Sequence, residues 1–530
     1  ADPTILLSSA TAPNAADFGG ALIGEDRVEV VADSTAPTAA RTVVLWQPSV
    51  SLARDTSRLL AGLADDATQT LAFVASRAGA ELTSLEAAEL AAEPGRIASY
   101  RGGYLAMERR DLEAALQTGE ILGLATTNAL ELGIDVSGID AVLVSGFPGK
   151  LSAFWQQAGR AGRAGREALV VLLARENPLD AYLLQHPELI FDAPVEAAIC
   201  HPQNPHVLGP HLAAAAQEQP LTAADERWFG PTALPLAAHL AAGKVLRDRG
   251  GTWYWTRPDR AVDHINLRST TPRPVEIIER STGQVIGVVD PAAADRTVHR
   301  GAVYLHQGRS FVVTDLDVEE RCAMVVAVHN PWYTQAESAQ DIAVLREQRS
   351  RPLGSTTLHF GDVRLSWQVT GYLRRDETTH EVLDSTPLDC PEHTLTTQAV
   401  WWSVPEALER ELGWGSLRLG AAAHAAEHTS IGLLPAFAPC DRWDIGGVST
   451  ARHPDTGLAT VFVHDGLPGG AGFAARAHEV AEQWLAATLE RLRTCRCESG
   501  CPACVVSPKC GNANQVLDKT AATELLRRIL

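Results

Sequence analysis

Between residues 70 and 175, short apolar runs alternate with amphipathic stretches, and this alternation limits the possible folds more than any other feature. "TLAFVASR" (70–77) reads as a strand ending in polar residues. "LAMERRDLEAALQTG" (105–119) has helical spacing, with Leu105, Leu112 and Leu116 on one stripe and Gly119 as a stop. "ILGLATTNALELGID" (121–135) reads as a strand running into a turn and a short helix. "AVLVSGFPG" (141–149) is a strand with a Gly/Pro stop, "FWQQAGRAGRAG" (154–165) opens a helix, and "EALVVLLA" (167–174) is the next strand. Strands that are apolar throughout must be covered on both faces. The expected fold is a parallel sheet with helices on each side.

The rest of the chain is of other kinds. A length of 530 residues exceeds one core and implies several domains. Residues 191–264 become helical and end in "GKVLRDRGGTWYWTRPD", the outline of a winged helix. From 265 to 400, β-branched runs are spaced like a small barrel or sandwich. Helices return from 401 to 530, where a cysteine loop lies near the end. No run of about 18 apolar residues implies a membrane span, and "ADPTILLSSATAPNAADFGG" does not have the build of a signal peptide. Cys200, Cys322, Cys390 and Cys440 are scattered, which is reduced, cytoplasmic usage rather than a disulfide framework. The net charge of −19 argues against a purely electrostatic nucleic-acid binder. It leaves room for a narrow basic track on an acidic body. Residues 491–530 hold seven Lys/Arg against three Asp/Glu.

Polar strings follow the strands in a fixed order: "SSAT" (8–11), "VASR" (74–77), "SYRGGYLAMERR" (99–110), "ATTNALELGID" (125–135) and "QQAGRAGRAGR" (156–166). Ligands of open α/β sheets bind at such carboxyl ends. Hydrolysis of a nucleotide needs cations on the γ-phosphate, and an arginine fork provides them. Arg160 and Arg163 are such a fork, with Gly159 and Gly162 turning the backbone and Gln156 placed to orient water or ligand. Asp135 suits a ribose hydroxyl or an arginine, and Thr126 and Thr127 suit nucleic-acid phosphates. Arg101, Gly102 and Tyr104 read either as a contact loop or as a simple turn.

This ordered set resembles the second motor lobe of superfamily 2 helicases, over roughly residues 1–190. The resemblance implies catalytic roles for Arg160, Arg163 and Gln156, and nucleotide contacts at Gly159, Asp135 and Gly133. It implies nucleic-acid contacts at Ser9, Thr11, Ser76, Arg77, Arg101, Gly102, Thr126 and Thr127. No G-x-x-x-x-G-K-[ST] loop and no Asp-Glu-x-His box occurs in the sequence. In the family both precede "SAT". The chain is therefore expected to be the carboxyl-terminal portion of a larger helicase, with residues 1–24 closing the first lobe and 25–190 forming the second. Alone it is expected not to turn over ATP.

The stretch "CRCESGCPACVVSPKCGNAN" (495–514) holds five of the nine cysteines. Cys497, Cys501, Cys504 and Cys510 have spacings that let thiolates meet on one tetrahedral Zn²⁺, with Cys495 able to replace Cys497. A disulfide pair or an iron–sulfur cluster is the rival. Four thiolates leave no open position, so a zinc here is structural. His424 and His428, without a glutamate beside the first histidine, read as core or interface residues. Glu427 suits a backbone or basic partner. "DGLPGGAGF" (465–473) reads as a packing turn or a phosphate cradle. One ring of Trp253, Tyr254 and Trp255 belongs to a core while the other face can stack on a base, a role given to Trp253. Trp401 and Trp402 read as core.

The cysteine loop, "CGNANQVLDK", "HAAEHTSIGLLP" and "DGLPGGAGF" together resemble the MrfA-type helicases, which are linked to mitomycin damage and end in a zinc-binding (MZB) domain. A fungal branch of crosslink-repair helicases, related in part to RecQ-type helicases, shares it. "NPLDAYLLQHPELIF" and "NPHVLGPHLAAAA" resemble that group's bridge into its winged helix. The resemblance implies a multidomain α/β protein: a RecA-like lobe, a winged helix, a β-rich barrel-like module and a zinc-binding domain that folds on its metal independently of the motor lobe. It implies an ATP-dependent 3′→5′ DNA translocase in repair, using ATP and Mg²⁺ in the full-length parent, on single-stranded and tailed DNA. A monomer associated with the bacterial nucleoid is expected, with a nuclease or other repair factor as partner. The rivals are a helicase-like scaffold of a phage-defence assembly and an RNA helicase.

Overall fold

The computed structural model describes residues 4–9, 11–25, 27–33, 40–101, 104, 106–131, 138–162, 167–265, 274–306, 309–377, 379, 381–442, 444–512 and 514–530. The chain divides into two compact units. One comprises Ala1–Ala198, His428–Arg442 and Gln483–Val506, and the other Ile199–Glu427, Trp443–Glu482 and Ser507–Leu530.

The first unit is built on the expected parallel sheet. In chain order its elements are α1 (Ala15–Ile23), β1 (Arg41–Trp46), α2 (Leu52–Asp65), β2 (Thr70–Phe73), α3 (Arg77–Leu90) and β3 (Ile97–Tyr100). There follow α4 (Ala106–Thr118), β4 (Gly123–Thr126), β5 (Ala141–Ser145), α5 (Leu151–Ala158), β6 (Ala168–Leu173), α6 (Pro178–Gln185) and α7 (Glu188–Phe191). The strands lie in the order β1-β6-β5-β2-β4-β3, all parallel. Alternate residues feed two cores. Leu71, Phe73, Val142, Val144, Val170 and Leu172 fill one face. Ala72, Leu143, Val171 and Leu173 fill the other. This two-sided burial is why the strands read as unbroken apolar runs.

One boundary differs from expectation. The glycine-rich string does not open a helix. The helix α5 starts at Leu151 and stops at Ala158, with Gly159 after it and Gly162 at φ +79°. Glycine leaves helical geometry at little cost, and residues 159–162 form a turn directly after the helix.

The second unit begins with α8 (Pro205–Glu218), α9 (Glu226–Phe229), α10 (Ala233–Ala242), β7 (Leu246–Asp248) and β8 (Trp253–Trp255). The last two form an antiparallel hairpin, turned at Gly250 and Gly251, both at positive φ. This is the expected winged helix, with Leu212, Ala216, Leu246 and Trp253 in its core. Next come β9 (Val275–Glu279), β10 (Val285–Val289), α11 (Pro291–Thr297), β11 (Val303–His306), β12 (Arg309–Asp317) and β13 (Cys322–Val328). The strands make an open sheet in the order β10-β9-β13-β12-β11.

The β-rich stretch continues into β14 (Trp332–Leu353), β15 (Thr356–Asp376), β16 (Val382–Pro387) and β17 (His393–Ser403). After α12 (Glu406–Leu412) and α13 (Ser416–Leu433) come β18 (Ile445–Thr450), β19 (Thr460–Asp465), α14 (Phe473–Glu479), α15 (Ala481–Thr494) and α16 (Lys519–Ile529). The second sheet runs β14-β15-β17-β19-β18, so strands before residue 403 share hydrogen bonds with strands after residue 445. Trp401 and Trp402 are core residues, as read from the sequence.

The "DGLPGGAGF" loop binds an anion, and the anion is its own. The Asp465 carboxylate is buried and accepts from the backbone N–H groups of Ala471 (2.6 Å), Gly472 (2.9 Å) and Ala474 (2.8 Å). Burial pushes this carboxyl upward while those N–H groups pull it back. The loop is thus a packing turn whose donors are already satisfied. Asp465→Ala leaves three donors stranded and is expected to cost on the order of 3 kcal/mol. Asp465→Asn, which keeps an acceptor, is expected to cost less. Urea unfolding of the two variants checks this, and equal stability of Asp465→Ala and the parent chain would count against it.

Candidate functional site

Of the expected nucleotide and nucleic-acid residues, Ser76, Arg77, Arg101, Thr126 and Thr127 lie at or after the carboxyl ends of β2, β3 and β4, and Gln156, Gly159 and Arg160 lie at the end of α5. At this edge the structure joins segments far apart in sequence. The Gln156 side chain on α5 donates from Nε2 to the Thr11 hydroxyl at 3.1 Å, so "SAT" meets the glutamine of the arginine–glycine string. Arg160 is buried, and its guanidinium donates to the Glu131 carbonyl oxygen at 2.5 Å. Its neighbour Gln157 donates to the Glu131 carboxylate at 2.9 Å. Gly162 N–H donates to the Ile139 carbonyl at 3.2 Å. The turn after α5 is thereby tied to both ends of the segment that follows β4.

Several candidates have structural employment here. Ser76 caps α3, its hydroxyl accepting from Gly79 N–H at 2.9 Å, and Arg77 is the first residue of that helix. Arg101 is buried and pairs with Glu81 at 2.6 Å, with its guanidinium 4.7 Å from the Tyr104 ring centroid. Thr126 is fully buried and donates to its neighbour's carbonyl. The Thr127 hydroxyl accepts from Ala129 N–H at 3.5 Å, and Ser9 accepts from Thr11 N–H at 3.2 Å. Gly159 ends α5. Gly102, Gly133, Asp135 and Arg163 lie outside the described residues.

The reading of Trp253 is corrected. It is the buried ring of its strand, and its backbone pairs with Leu221. Facing alternates along a strand, so Tyr254 and Trp255 are the partly exposed rings. Arg249 lies over the Tyr254 ring and Arg257 over Trp255.

The cysteine loop gathers four sulfurs, but not the four expected. Cys495, Cys497, Cys501 and Cys504 come together, while the Cys510 sulfur lies beside His424 instead, 3.6 Å from its Nε2. Contacts within the four are 3.5 Å (495–497 and 495–501), 3.4 Å (497–504) and 3.7 Å (501–504). Tetrahedral zinc with sulfur at about 2.3 Å sets sulfurs about 3.8 Å apart, so the cluster fits the ion. The acid–base behaviour of the sulfurs agrees. Burial opposes ionisation of Cys495, yet the Cys497 N–H and the Arg491 side chain bring it down to about 6. Burial and the adjacent sulfurs push Cys501 up to about 11, and Cys504 higher still. Touching thiols cannot all ionise unless a cation neutralises them.

The reason for the different fourth ligand is local. Cys495 directly follows α15, whose Arg491 supports its sulfur, and the turn at Gly500 folds Cys501 and Cys504 back toward it. No spacing rule could weigh that helix end. The sequence reading also passed over Glu131, Gln157 and Arg491. The "ELGID" and "QQAGR" strings contain the first two, but only their contact shows the pairing.

The four cysteines belong to the same compact unit as the parallel sheet. Gln185 at the end of α6 accepts from Arg491 at 3.2 Å and from the Thr494 hydroxyl at 3.1 Å. His186 meets Glu490 at 3.0 Å. The Thr429 hydroxyl donates to the Cys504 carbonyl at 3.2 Å.

Comparison with known proteins locates three families along the chain. The helicase conserved C-terminal domain matches residues 53–165. The winged helix domain of ATP-dependent helicase HRQ1 matches 200–270, and the MrfA Zn-binding domain matches 426–505. The chain is 32% identical over 521 residues to the uncharacterized ATP-dependent helicase YprA of Bacillus subtilis, covering 95% of this chain and 69% of that protein. It is 27% identical to ATP-dependent helicase hrq1 of Schizosaccharomyces pombe, and there it spans 51% of the relative's length. The crystal structure of the DUF1998 helicase MrfA bound to DNA matches all of this chain and 72% of that one, at 31% identity and TM-score 0.68.

The geometry predicts that Cys495→Ser removes one equivalent of zinc per chain, as Cys501→Ser does. Because the site is bonded to α6, loss of this zinc is expected to lower the unfolding midpoint of the sheet-containing unit. Metal analysis and thermal unfolding check both. Full zinc retention by Cys495→Ser would overturn the ligand set.

Proposed function

The chain belongs to the MrfA-type family of superfamily 2 helicases, and on that premise we propose that it is the second motor lobe and DNA-handling portion of an ATP-dependent DNA translocase. The observation that carries this reading is the knot at the sheet edge, where Gln156 holds Thr11 and Arg160 holds the Glu131 carbonyl. Segments that must respond together to a nucleotide are mechanically joined there. In this reading Arg160 is a positioning residue that fixes the loop after β4. Arg163, three residues on, supplies positive charge to the γ-phosphate as its oxygens gain charge. Gln156 links the nucleotide side to the "SAT" segment.

The sequence has no P-loop, so residues outside it must hold the triphosphate and Mg²⁺. This chain by itself is then inactive as an ATPase. Turnover by the purified chain that disappears in Arg163→Ala would overturn that statement.

DNA is favoured over RNA because MrfA was solved with DNA and because the wing has the right surface. Lys244, Arg247, Arg249 and Arg257 are exposed along it, beside Tyr254 and Trp255. A short cationic hairpin with aromatic faces can follow a phosphate backbone and stack a base. A role in repair, with 3′→5′ polarity and a nuclease or other repair partner, follows the family resemblance. Among the described residues no helix is long and apolar enough to cross a membrane.

The test is fluorescence anisotropy with labelled single-stranded DNA and matched RNA across a salt series. Salt-sensitive binding that prefers DNA is expected. Arg247→Ala and Arg249→Ala are each expected to lower the logarithmic salt slope by roughly 0.7 to 0.9. Preference for RNA, or an unchanged slope in both variants, would refute the wing as the DNA contact.

A further inference from the structure

The helix that ends in the arginine turn has no cap from its own neighbourhood. Lys150 stands at the N-cap of α5 in an extended conformation, and a lysine has no acceptor to offer the N–H groups of the first turn. Those groups have no partner inside the helix, and a carboxylate beside them also meets the positive end of the helix dipole. Glu196 takes this place from a distant part of the sequence. Its carboxylate accepts from Leu151 N–H at 3.0 Å, from Ser152 N–H at 3.2 Å and from the Ser152 hydroxyl at 2.6 Å. Both carboxylate oxygens are engaged, one with Leu151 and the other with Ser152.

The position of Glu196 along the chain gives this cap a further meaning. Residues 194–198 follow α7 and form neither helix nor strand. The chain passes into the second compact unit at Ile199, directly after them. The segment therefore connects the motor sheet to the rest of the chain, and Glu196 ties it to the start of α5. The Trp155 ring of α5 meets Phe191 of α7 edge-on, with centroids 6.3 Å apart, just before the same segment. At its other end α5 carries the knot. Gln156 holds Thr11, Gln157 holds the Glu131 carboxylate and Arg160 holds the Glu131 carbonyl. A helix of eight residues is about 12 Å long, and so short a rod passes a displacement of one end on to the other.

We propose that Glu196 is a positioning residue that couples the 194–198 connector, through α5, to the turn carrying Arg160 and Arg163. The inference rests on the translocase reading above. In it, a pull on the connector when DNA is engaged shifts α5 along its axis and resets the arginine turn, so that DNA changes the rate of ATP hydrolysis.

The experiment compares ATP turnover with and without single-stranded DNA, together with thermal unfolding, in the full-length protein that includes this chain. Glu196→Ala is expected to lower the unfolding midpoint of the sheet-containing unit and to reduce the stimulation by DNA by about fivefold or more. Lys150→Ser gives α5 a local cap, because serine at an extended N-cap accepts from the first turn. Alone it is expected to keep both properties. Combined with Glu196→Ala, it is expected to restore the midpoint while the stimulation stays low, and this double variant covers the case in which Glu196→Ala fails to fold. Glu196→Gln keeps an acceptor oxygen and is expected to retain most of the stimulation. Parental stimulation in Glu196→Ala, or its return together with the midpoint in the double variant, would overturn the proposal, the latter by reducing Glu196 to a cap. A parent protein whose turnover ignores DNA would instead refute the translocase reading, and the coupling with it.

Discussion

A buried guanidinium must be paid for with hydrogen bonds, and Arg160 finds one at the Glu131 carbonyl. That bond draws the loop after β4 against the turn after α5, and Gln157 holds the same glutamate by its side chain. Gln156, one residue earlier in α5, reaches the other way to Thr11. Three side-chain ties within five residues leave the carboxyl edge of the sheet with little freedom. An edge that must place charge beside a reacting phosphate gains from such fixed geometry, because misplacement by about 1 Å costs rate. The order of the polar strings along the chain reflects this: three of them follow β2, β3 and β4, and the string at the end of α5 reaches back to "SSAT" through Gln156.

The zinc cluster extends the same unit. A four-thiolate site appended to a finished domain could be lost with little effect on the rest. Here Arg491 supports one sulfur, and its helix is bonded to α6 through Gln185 and His186. Structural zinc contributes on the order of 10 kcal/mol in small domains that fold on it. Even a fraction of that, delivered through α6, bears on the motor sheet directly. The metal therefore acts as part of the lobe's own scaffold rather than as the core of a separate terminal domain.

The parallel sheet was legible in the sequence because its two-sided burial writes unbroken apolar runs, and the wing because Gly250 and Gly251 mark a turn between short strands. The pairing of β17 with β19 was not legible, since 56 residues separate Ser403 from Thr460 and a strand carries no mark of its partner. The fourth zinc ligand was missed for a related reason. Spacing counts residues along a loop, whereas Cys495 is delivered by the end of α15. His428 is buried as a core histidine would be, and its bond to the Val505 carbonyl becomes visible only in the folded chain. Glu131 was invisible as a functional residue because its backbone oxygen, not its side chain, receives Arg160.

Charge sets the last constraint. A chain of net charge −19 repels a polyanion at long range, so any nucleic-acid contact must be made at short range by a concentrated feature. The wing, proposed above as the DNA contact, has the build to meet that requirement. Its four exposed cations fall within fourteen residues, between Lys244 and Arg257, and two of them lie over aromatic rings. Ring and cation together hold each guanidinium near the surface of the hairpin rather than leaving it to sweep through solvent. With a Debye length of about 8 Å at physiological salt, the acidic remainder is screened from a strand that lies on the hairpin. In the proposed reading the acidic body adds selectivity, because it discourages binding away from the hairpin.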